Sequence, residues 1–207
     1  MEAKCYRSEL KYIISPGTKA ALSARLRKIL PMDKNSGGKS YLIKSLYFDT
    51  INNDALREKL DGDAYREKFR IRCYNNDYSF IRLEKKVKVL YKGYKLSSKL
   101  TAEQTADIID GKIDFMKYSP EPLQKEFYMK CKTAFLKPSV IIQYEREAFT
   151  YRPGNTRVTL DYNIRSSICS PDFFTNDLPL LDSGDDRCVL EVKYDHFLPD
   201  IIRDLVQ

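Results

Sequence analysis

Charged and apolar residues alternate along several segments of this chain, and this period of two constrains its fold more than any other feature. In the stretch EKFRIRCYN, residues 67–75, Arg70 and Arg72 fall on one face of a predicted strand, and Phe69, Ile71 and Cys73 fall on the other. One strand of this kind is typical of any sheet with a solvated face. A function can therefore be inferred only if the pattern recurs.

The pattern recurs in five further segments. These predicted strands are SELKYII, FIRLEKKV, RVTLDYNIR, VLEVKYD and, with Glu145 and Arg146 on opposite faces, VIIQYEREAF. A face that was merely solvated would accept Ser, Thr, Gln and Asn freely, whereas these faces carry mostly Lys, Arg and Glu. Two geometries fit this pattern. Helices could cover the apolar side of an open sheet, or the sheet could close into a barrel with a charged lumen and an apolar outer face.

A closed barrel with this lining would need a wet lumen. Ions moved into a medium of low dielectric constant cost several kcal/mol unless they are paired. The lumen would therefore be partly neutralised by glutamates and would suit a polyanion. An eight-stranded barrel is about wide enough for one slender ligand.

Five helices are predicted between the strands. Ser15 and Pro16 form a cap and first turn before apolar residues with helical spacing, which continue to Leu30. Thr101 and Gln104 form a capping box at the start of TAEQTADIID. The other helices are expected in NNDALREKL, PLQKEFYMKCKTAFLK and PDIIRDLVQ, and residues 170–186 are predicted to be an acidic loop. The expected fold is α+β, with one domain over residues 1–207.

The composition limits the classes of function. Lys and Arg exceed Asp and Glu by 36 to 29, so the net charge of +7 favours anionic partners. The chain has a single histidine, His196, which excludes the usual catalytic triads and His-rich metal sites. Its five cysteines are scattered without a C-x-x-C pair, which indicates a reducing cytoplasm rather than a disulfide framework. No signal peptide or membrane span is predicted.

An ordered set of motifs resembles a known family. RSELKY, SLYFDT followed by LREKLDG, REKFRIRCYN, RLEKK, YEREAF, RVTLDYNI and LEVKYD together resemble the VTC (polyphosphate polymerase) domain of the triphosphate tunnel metalloenzyme superfamily, in its stand-alone bacterial form. The resemblance implies an antiparallel eight-stranded tunnel barrel with a charged lumen, flanked by helices. It also implies a triphosphate or polyphosphate in the lumen and a divalent cation, Mn2+ or Mg2+, bound by glutamate.

One departure from the wider superfamily concerns its Glu-x-Glu-x-Lys signature. Arg7 replaces the first glutamate here, and Glu9 and Lys11 remain. This departure fits the polymerase branch better than the thiamine-triphosphatase or adenylate-cyclase branch. The resemblance therefore favours extension of polyphosphate from the γ-phosphate of ATP.

The resemblance also implies roles for individual residues. Glu191 is the leading metal ligand, with Glu145 and Glu9 as secondary ligands, although Glu9 and Glu145 could equally be partners of neighbouring bases. Lys193, which shares a strand face with Glu191, joins the expected substrate-binding set. That set is Lys11, Lys59, Arg70, Arg72, Lys86, Lys95, Arg146, Arg157 and Lys193, and the expected catalytic residues are Lys11, Arg70, Arg72, Arg146 and Glu191.

Several functions stay compatible with these residue types. Transfer of a phosphoryl group to a chain end would make polyphosphate, whereas transfer to water would make the protein a triphosphatase that hydrolyses a nucleoside triphosphate or inorganic tripolyphosphate. A protein that binds polyphosphate without catalysis needs the same bases. A single-stranded nucleic-acid binder would place aromatic rings on the face of its arginines. We expect Phe69 and Phe80 to lie opposite Arg70 and Arg82, which disfavours nucleic acid.

Overall fold

The fold is described from a computed structural model, in which residues 6–167, 172–176, 178–182, 184 and 186–207 are described. Cys5, Cys169 and parts of the predicted loop at 170–186 lie outside these residues. None of the helices in the described ranges is long and apolar enough to span a membrane.

The described residues form nine strands and five α-helices. The strands are β1 (Arg7–Ile14), β2 (Tyr41–Asp49), β3 (Tyr65–Tyr74), β4 (Asp77–Val89), β5 (Lys92–Leu100), β6 (Lys137–Tyr151), β7 (Thr156–Ser167), β8 (Leu180–Asp182) and β9 (Cys188–Tyr194). The helices are α1 (Pro16–Ile29), α2 (Asp54–Asp61), α3 (Ala102–Ile109), α4 (Pro122–Thr133) and α5 (Asp200–Val206). All five predicted helices are therefore present, and α4 ends earlier than its apolar pattern suggested.

The helix starts follow from local hydrogen bonding. The Ser15 hydroxyl accepts from the backbone N–H of Thr18 at 3.1 Å, with Pro16 in the first turn of α1. At α3 the Thr101 hydroxyl accepts from the Gln104 N–H at 3.1 Å, and the Gln104 side chain accepts from the Thr101 N–H at 3.0 Å. The predicted capping box is thus formed. It satisfies N–H groups that have no partner within the helix.

Eight of the strands close into an antiparallel barrel. Their hydrogen-bonded order is β6-β2-β3-β4-β5-β1-β9-β7, the pairing of β6 with β7 completes the ring, and β8 adds to β7 as an extra strand. The contact between β1 and β5 is the shortest of the ring, with two residue pairs, Arg7 with Gly93 and Ser8 with Lys92. The predicted α+β fold with an eight-stranded tunnel barrel is confirmed.

Two apolar clusters hold helices against the outer face of the barrel. Phe127 of α4 is fully buried against Phe69, with ring centres 5.3 Å apart, in a cluster that also contains Ile108 of α3. Leu26 of α1 and Ile202 of α5 are fully buried in the second cluster, over β6, β7 and β9. Each such buried side chain contributes roughly 2 kcal/mol through the hydrophobic effect. Because the apolar faces point outward to the helices, the charged faces point inward.

Candidate active site in the barrel lumen

The barrel encloses a cavity of about 630 Å3 whose lining is mainly basic. Eleven lining side chains are Lys or Arg, and three are Asp or Glu. Every base that the sequence assigned to substrate lies on this lining: Lys11, Lys59, Arg70, Arg72, Lys86, Lys95, Arg146, Arg157 and Lys193. The lumen therefore brings together, around one space, bases that are distant along the chain.

Arg70 and Arg72 of β3 both line the cavity, as their spacing predicted. Arg70 donates to Glu84 from Nε at 2.8 Å, and its Nη2 lies 2.6 Å from the same carboxylate. Arg72 donates from Nε to the Ser45 hydroxyl at 2.9 Å and from Nη2 to the Tyr144 hydroxyl at 3.0 Å. Phe69, Ile71 and Cys73 are buried on the outer face of the same strand. Both guanidinium groups are thus fixed in the lumen by cross-strand partners.

Glu9 and Glu191, the two predicted metal ligands that line the lumen, form an ionic network with lysines. The Lys11 ammonium bridges them, 3.1 Å from Glu9 and 2.7 Å from Glu191. The Lys86 ammonium lies 2.6 Å from Glu9, and Lys193 pairs with Glu191. Burial acts to raise the pKa of Glu191, but Lys193, Lys11 and Arg146 outweigh it and hold this pKa well below its ordinary value. Glu191 is therefore a carboxylate anion inside the barrel.

Two further lumen arginines lie on the paired strands β6 and β7. Arg146 forms a bidentate pair with Asp161, with bonds of 2.6 Å from Nε and 2.7 Å from Nη2. Arg157 donates to the Tyr41 hydroxyl at 3.0 Å and lies 2.7 Å from the Asp33 carboxylate. Both guanidinium groups also line the cavity, so they extend the cationic surface around the barrel wall.

The residues around Glu191 could bind a divalent cation only if phosphate oxygens of the substrate supplied further ligands. Within the described ranges, no group of three or more His, Cys, Asp or Glu residues could hold a metal ion. However, Oε1 of Glu191 and the hydroxyl of Thr159, which faces Glu191 across β7 and β9, are buried without a well-directed hydrogen bond from the described residues. The Lys193 ammonium touches that oxygen of Glu191, but it can move. Mg2+ is commonly bound by one or two carboxylates together with substrate phosphates, and this donor set suits that arrangement.

Glu145, the third predicted ligand, lies away from this network. Its carboxylate accepts from the Asn163 amide at 2.8 Å and from the Ser40 hydroxyl at 3.4 Å, and it is absent from the cavity lining. Its neighbours Tyr144 and Arg146 point into the lumen, so alternation along β6 directs Glu145 to the outer face. The expectation that Glu145 joins Glu9 and Glu191 at a metal is wrong.

The predicted separation of Phe80 from Arg82 is also wrong. The guanidinium carbon of Arg82 lies 4.6 Å from the centre of the Phe80 ring, because residues two apart in a strand share a face. The face opposite Arg70 does carry Phe69, as predicted. Aromatic side chains also occur in the lumen, where Tyr41 and Tyr74 pack with ring centres 6.0 Å apart. The argument from aromatic placement against a nucleic-acid strand therefore depends on Phe69 and not on Phe80.

Sequence reasoning missed several lumen residues. Lys68 lies two residues before Arg70 and lines the cavity, and burial lowers its pKa to about 8. Each of the four lumen arginines that the sequence predicted also contacts a tyrosine hydroxyl, which patterning cannot distinguish from a core ring. The omitted residues are Arg7, Tyr41, Tyr47, Lys68, Tyr74, Tyr144 and Asp161 on the lining, with Glu84 behind Arg70. Period-two alternation would have found Lys68 and Glu84.

Comparison with solved structures places the barrel among known folds. A provisionally assigned adenylate cyclase from Bacillus halodurans is 13% identical, with a TM-score of 0.56 over 96% of this chain and 86% of that one. A second such protein, from Vibrio parahaemolyticus, is 11% identical, with a TM-score of 0.51 over 98% and 83%. The Schizosaccharomyces pombe Mediator head module also contains a similar chain, 10% identical, with a TM-score of 0.53 over 97% and 89%. These identities establish a shared fold alone.

The search for sequence relatives gives a more specific result. No curated protein matches the chain significantly. The sequence profile of the VTC domain matches residues 6–207, which include all nine strands of the described structure. The motifs that resembled this family belong to the barrel strands and to α2, and the bases that they contribute to the predicted substrate-binding set line the lumen. The chain therefore belongs to the VTC domain family.

Proposed function

We propose that this protein is a polyphosphate polymerase, which transfers the γ-phosphoryl group of ATP to the end of a phosphate chain inside the tunnel. The observation that carries the proposal is the lining of the lumen, where eleven basic side chains surround one cavity. Eleven basic side chains are more than the binding of one triphosphate requires. A polymerase has to hold a donor and a chain end in line at the same time, and it gains most of its rate from that positioning.

The chain's own residues supply the electrostatic part of this reaction. Negative charge spreads over the equatorial oxygens of a transferring phosphoryl group, so fixed cations around it lower the barrier. Arg70 and Arg146 are suited to this role because Glu84 and Asp161 hold their guanidinium planes in place. Removing one such preorganised donor typically costs about a hundredfold or more in turnover.

A divalent cation, Mn2+ or Mg2+, would be held by Glu191, with Glu9 beside it, and by the substrate. When bound, it would neutralise part of the negative charge on the substrate's phosphate groups. Lys11 and Lys193, which now neutralise Glu191, would be released to pair with phosphate. Glu191 would thus exchange these lysines for the cation, and the lysines would bind phosphate instead.

The stoichiometry of the products tests the proposal. The protein is incubated with ATP and Mn2+ or Mg2+, and ADP and orthophosphate are both quantified. The proposal requires ADP to form in clear excess over orthophosphate, because the missing phosphate is in the polymer. Equal amounts of the two products would instead identify a triphosphatase, and no turnover with retained tripolyphosphate binding would identify a binding protein.

A further inference from the structure

Tyr47 of β2 lies in the lumen beside two cations of the neighbouring strand. Its hydroxyl accepts a hydrogen bond from Nη1 of Arg70 at 3.1 Å, and the two residues are directly opposite in the register of β2 and β3. The Lys68 ammonium lies 5.5 Å from the centre of the Tyr47 ring. The phenol therefore lies next to both Arg70 and Lys68 on the lining of the cavity.

The hydrogen-bonding capacity of this phenol is only partly used. A phenol donates one hydrogen bond and can also accept. The oxygen accepts from Arg70, so the hydroxyl hydrogen has to find a different acceptor, and the described residues provide none. Tyr47 lines the cavity, so an acceptor that enters the lumen can reach this hydrogen. Phosphate oxygens are acceptors of the required kind.

Tyr47 also helps to hold the guanidinium group of Arg70 in place. Nε and Nη2 of Arg70 are engaged by Glu84, and Nη1 is engaged by Tyr47. Loss of the phenol oxygen would therefore free one branch of the guanidinium fork while the other branch stays held. Tyr47 can act on substrate both directly and by orienting Arg70.

We propose that Tyr47 is a substrate-binding residue of the tunnel, whose neutral phenol donates a hydrogen bond to a phosphate oxygen and whose phenolate form repels it. Phosphate binding is then linked to the protonation of this one side chain. The inference relies on the proposed function only for the class of ligand, a tripolyphosphate or a longer phosphate chain.

The charges around Tyr47 support a titration near neutral pH. Burial acts to raise the pKa of Tyr47, but Arg70, Lys68 and Arg72 outweigh it and lower this pKa to about 7. The other ionisable groups facing this corner are Glu84 and Lys86 of β4, Lys59 of α2 and Tyr144 of β6. Phosphate charge entering this corner would stabilise the neutral phenol and raise its pKa again.

Tyr47→Phe tests the inference, with Tyr118→Phe, at a surface tyrosine that is 79% exposed, as the matched control. Tripolyphosphate binding is measured calorimetrically at about pH 6 and about pH 8.5, on either side of the titration. We expect Tyr47→Phe to weaken binding about fivefold at the lower pH, where the phenol donates, and to strengthen it at the higher pH, where the variant lacks the phenolate that repels phosphate. The control variant should follow the wild type at both values.

A spectroscopic measurement on the wild type keeps the test independent of how the variant folds. At about pH 8 the ultraviolet band of tyrosinate should be present in ligand-free protein, should fall when tripolyphosphate is added, and should be missing from Tyr47→Phe. A wild type that binds tripolyphosphate without any change in this band, with Tyr47→Phe equal to it at both pH values, overturns the inference but leaves the proposed function intact. A wild type that does not bind tripolyphosphate contradicts the proposed function itself.

Discussion

The guanidinium of Arg70 and the carboxylate of Glu84 face each other across β3 and β4, with Nη2 and Oε2 2.6 Å apart. Burial acts to raise the pKa of Glu84, but Arg70, Arg72 and Lys95 outweigh it and lower this pKa to about 2. Arg72, two residues further along, donates to hydroxyl groups and has no carboxylate partner among the described residues. Two arginines on one strand face thus contribute differently to the fold.

Single substitutions should separate these contributions. Arg70→Ala leaves the buried Glu84 with Lys95 as its remaining ion-pair partner among the described residues, so we expect a loss of about 3 kcal/mol in the free energy of unfolding. Arg72→Ala removes a cation from a crowded lumen, so the melting temperature without ligand should stay level or rise. Each variant should weaken tripolyphosphate binding about tenfold, or about 1.4 kcal/mol. Thermal unfolding and calorimetric titration check both effects, and a destabilised Arg72→Ala with unchanged binding would assign Arg72 to the fold alone.

Glu191→Gln should abolish turnover and keep binding. The amide preserves the shape of the side chain but lacks the charge that a hard cation requires. Lys11 and Lys193 would lose a partner and become available to phosphate, so tripolyphosphate should bind at least as well as before. ADP formation at saturating Mn2+ and tripolyphosphate affinity are the measurements.

Glu145→Gln is the matched control for this variant, because Glu145 lies outside the lumen. It should retain wild-type turnover. Normal turnover of Glu191→Gln, or an equal loss in both variants, would remove Glu191 from the proposed site.

Lys59 of α2 should affect long chains more than short ones. It is exposed and lines the rim of the cavity, where a charge contributes about 1 kcal/mol or less to binding. Lys59→Ala should weaken binding of long polyphosphate by about threefold and leave tripolyphosphate within about twofold. Lys125→Ala, at an exposed position of α4, should change neither affinity. Equal weakening for both ligands would place Lys59 at the donor site instead.

Alternation, a local property of each strand, predicted which residues share a face, such as Arg70 with Arg72 or Glu191 with Lys193. It left an open sheet and a closed barrel both possible, and the resemblance to the VTC domain selected the barrel and the lumen bases. Cross-strand partners depend on the registers of separate strands, which no local pattern contains. The pairings of Arg70 with Glu84 and of Arg146 with Asp161 therefore became visible only in the structure.

The two errors of interpretation had local causes. Glu145 was grouped with Glu191 by resemblance although alternation from Arg146 directs it outward, and Phe80 was placed on the wrong face of β4. The tyrosines were missed for another reason. A tyrosine in a strand has the same pattern whether its ring packs in a core or its hydroxyl holds an arginine, as Tyr144 does.

Stability at acid pH should depend on an ion network on the outer face. Glu67 of β3 lies 2.6 Å from the ammonium of Lys85 and 2.5 Å from that of Lys130 of α4. Burial acts to raise the pKa of Glu67, but these lysines outweigh it and lower this pKa from 4.5 to about 2. Because the folded-state pKa is the lower one, the stabilisation is complete above about pH 4.5 and is lost as the pH falls towards about 2.

Urea unfolding at neutral pH and at about pH 3 measures this contribution. Between these conditions the wild type should lose about 1–2 kcal/mol more than Glu67→Gln, which has no carboxylate to protonate. An identical loss in the two proteins would show that the network contributes nothing to acid sensitivity.

Phosphorus-31 NMR of the reaction products tests the central claim most directly. The protein is incubated with ATP and Mn2+ or Mg2+, quenched with a chelator, and compared with a second reaction that also contains short polyphosphate as primer. Chain extension in the tunnel predicts a growing resonance of internal phosphates alongside ADP, and a shorter lag with primer. A spectrum that shows only orthophosphate and ADP, unaffected by primer, would contradict the polymerase account and identify a triphosphatase.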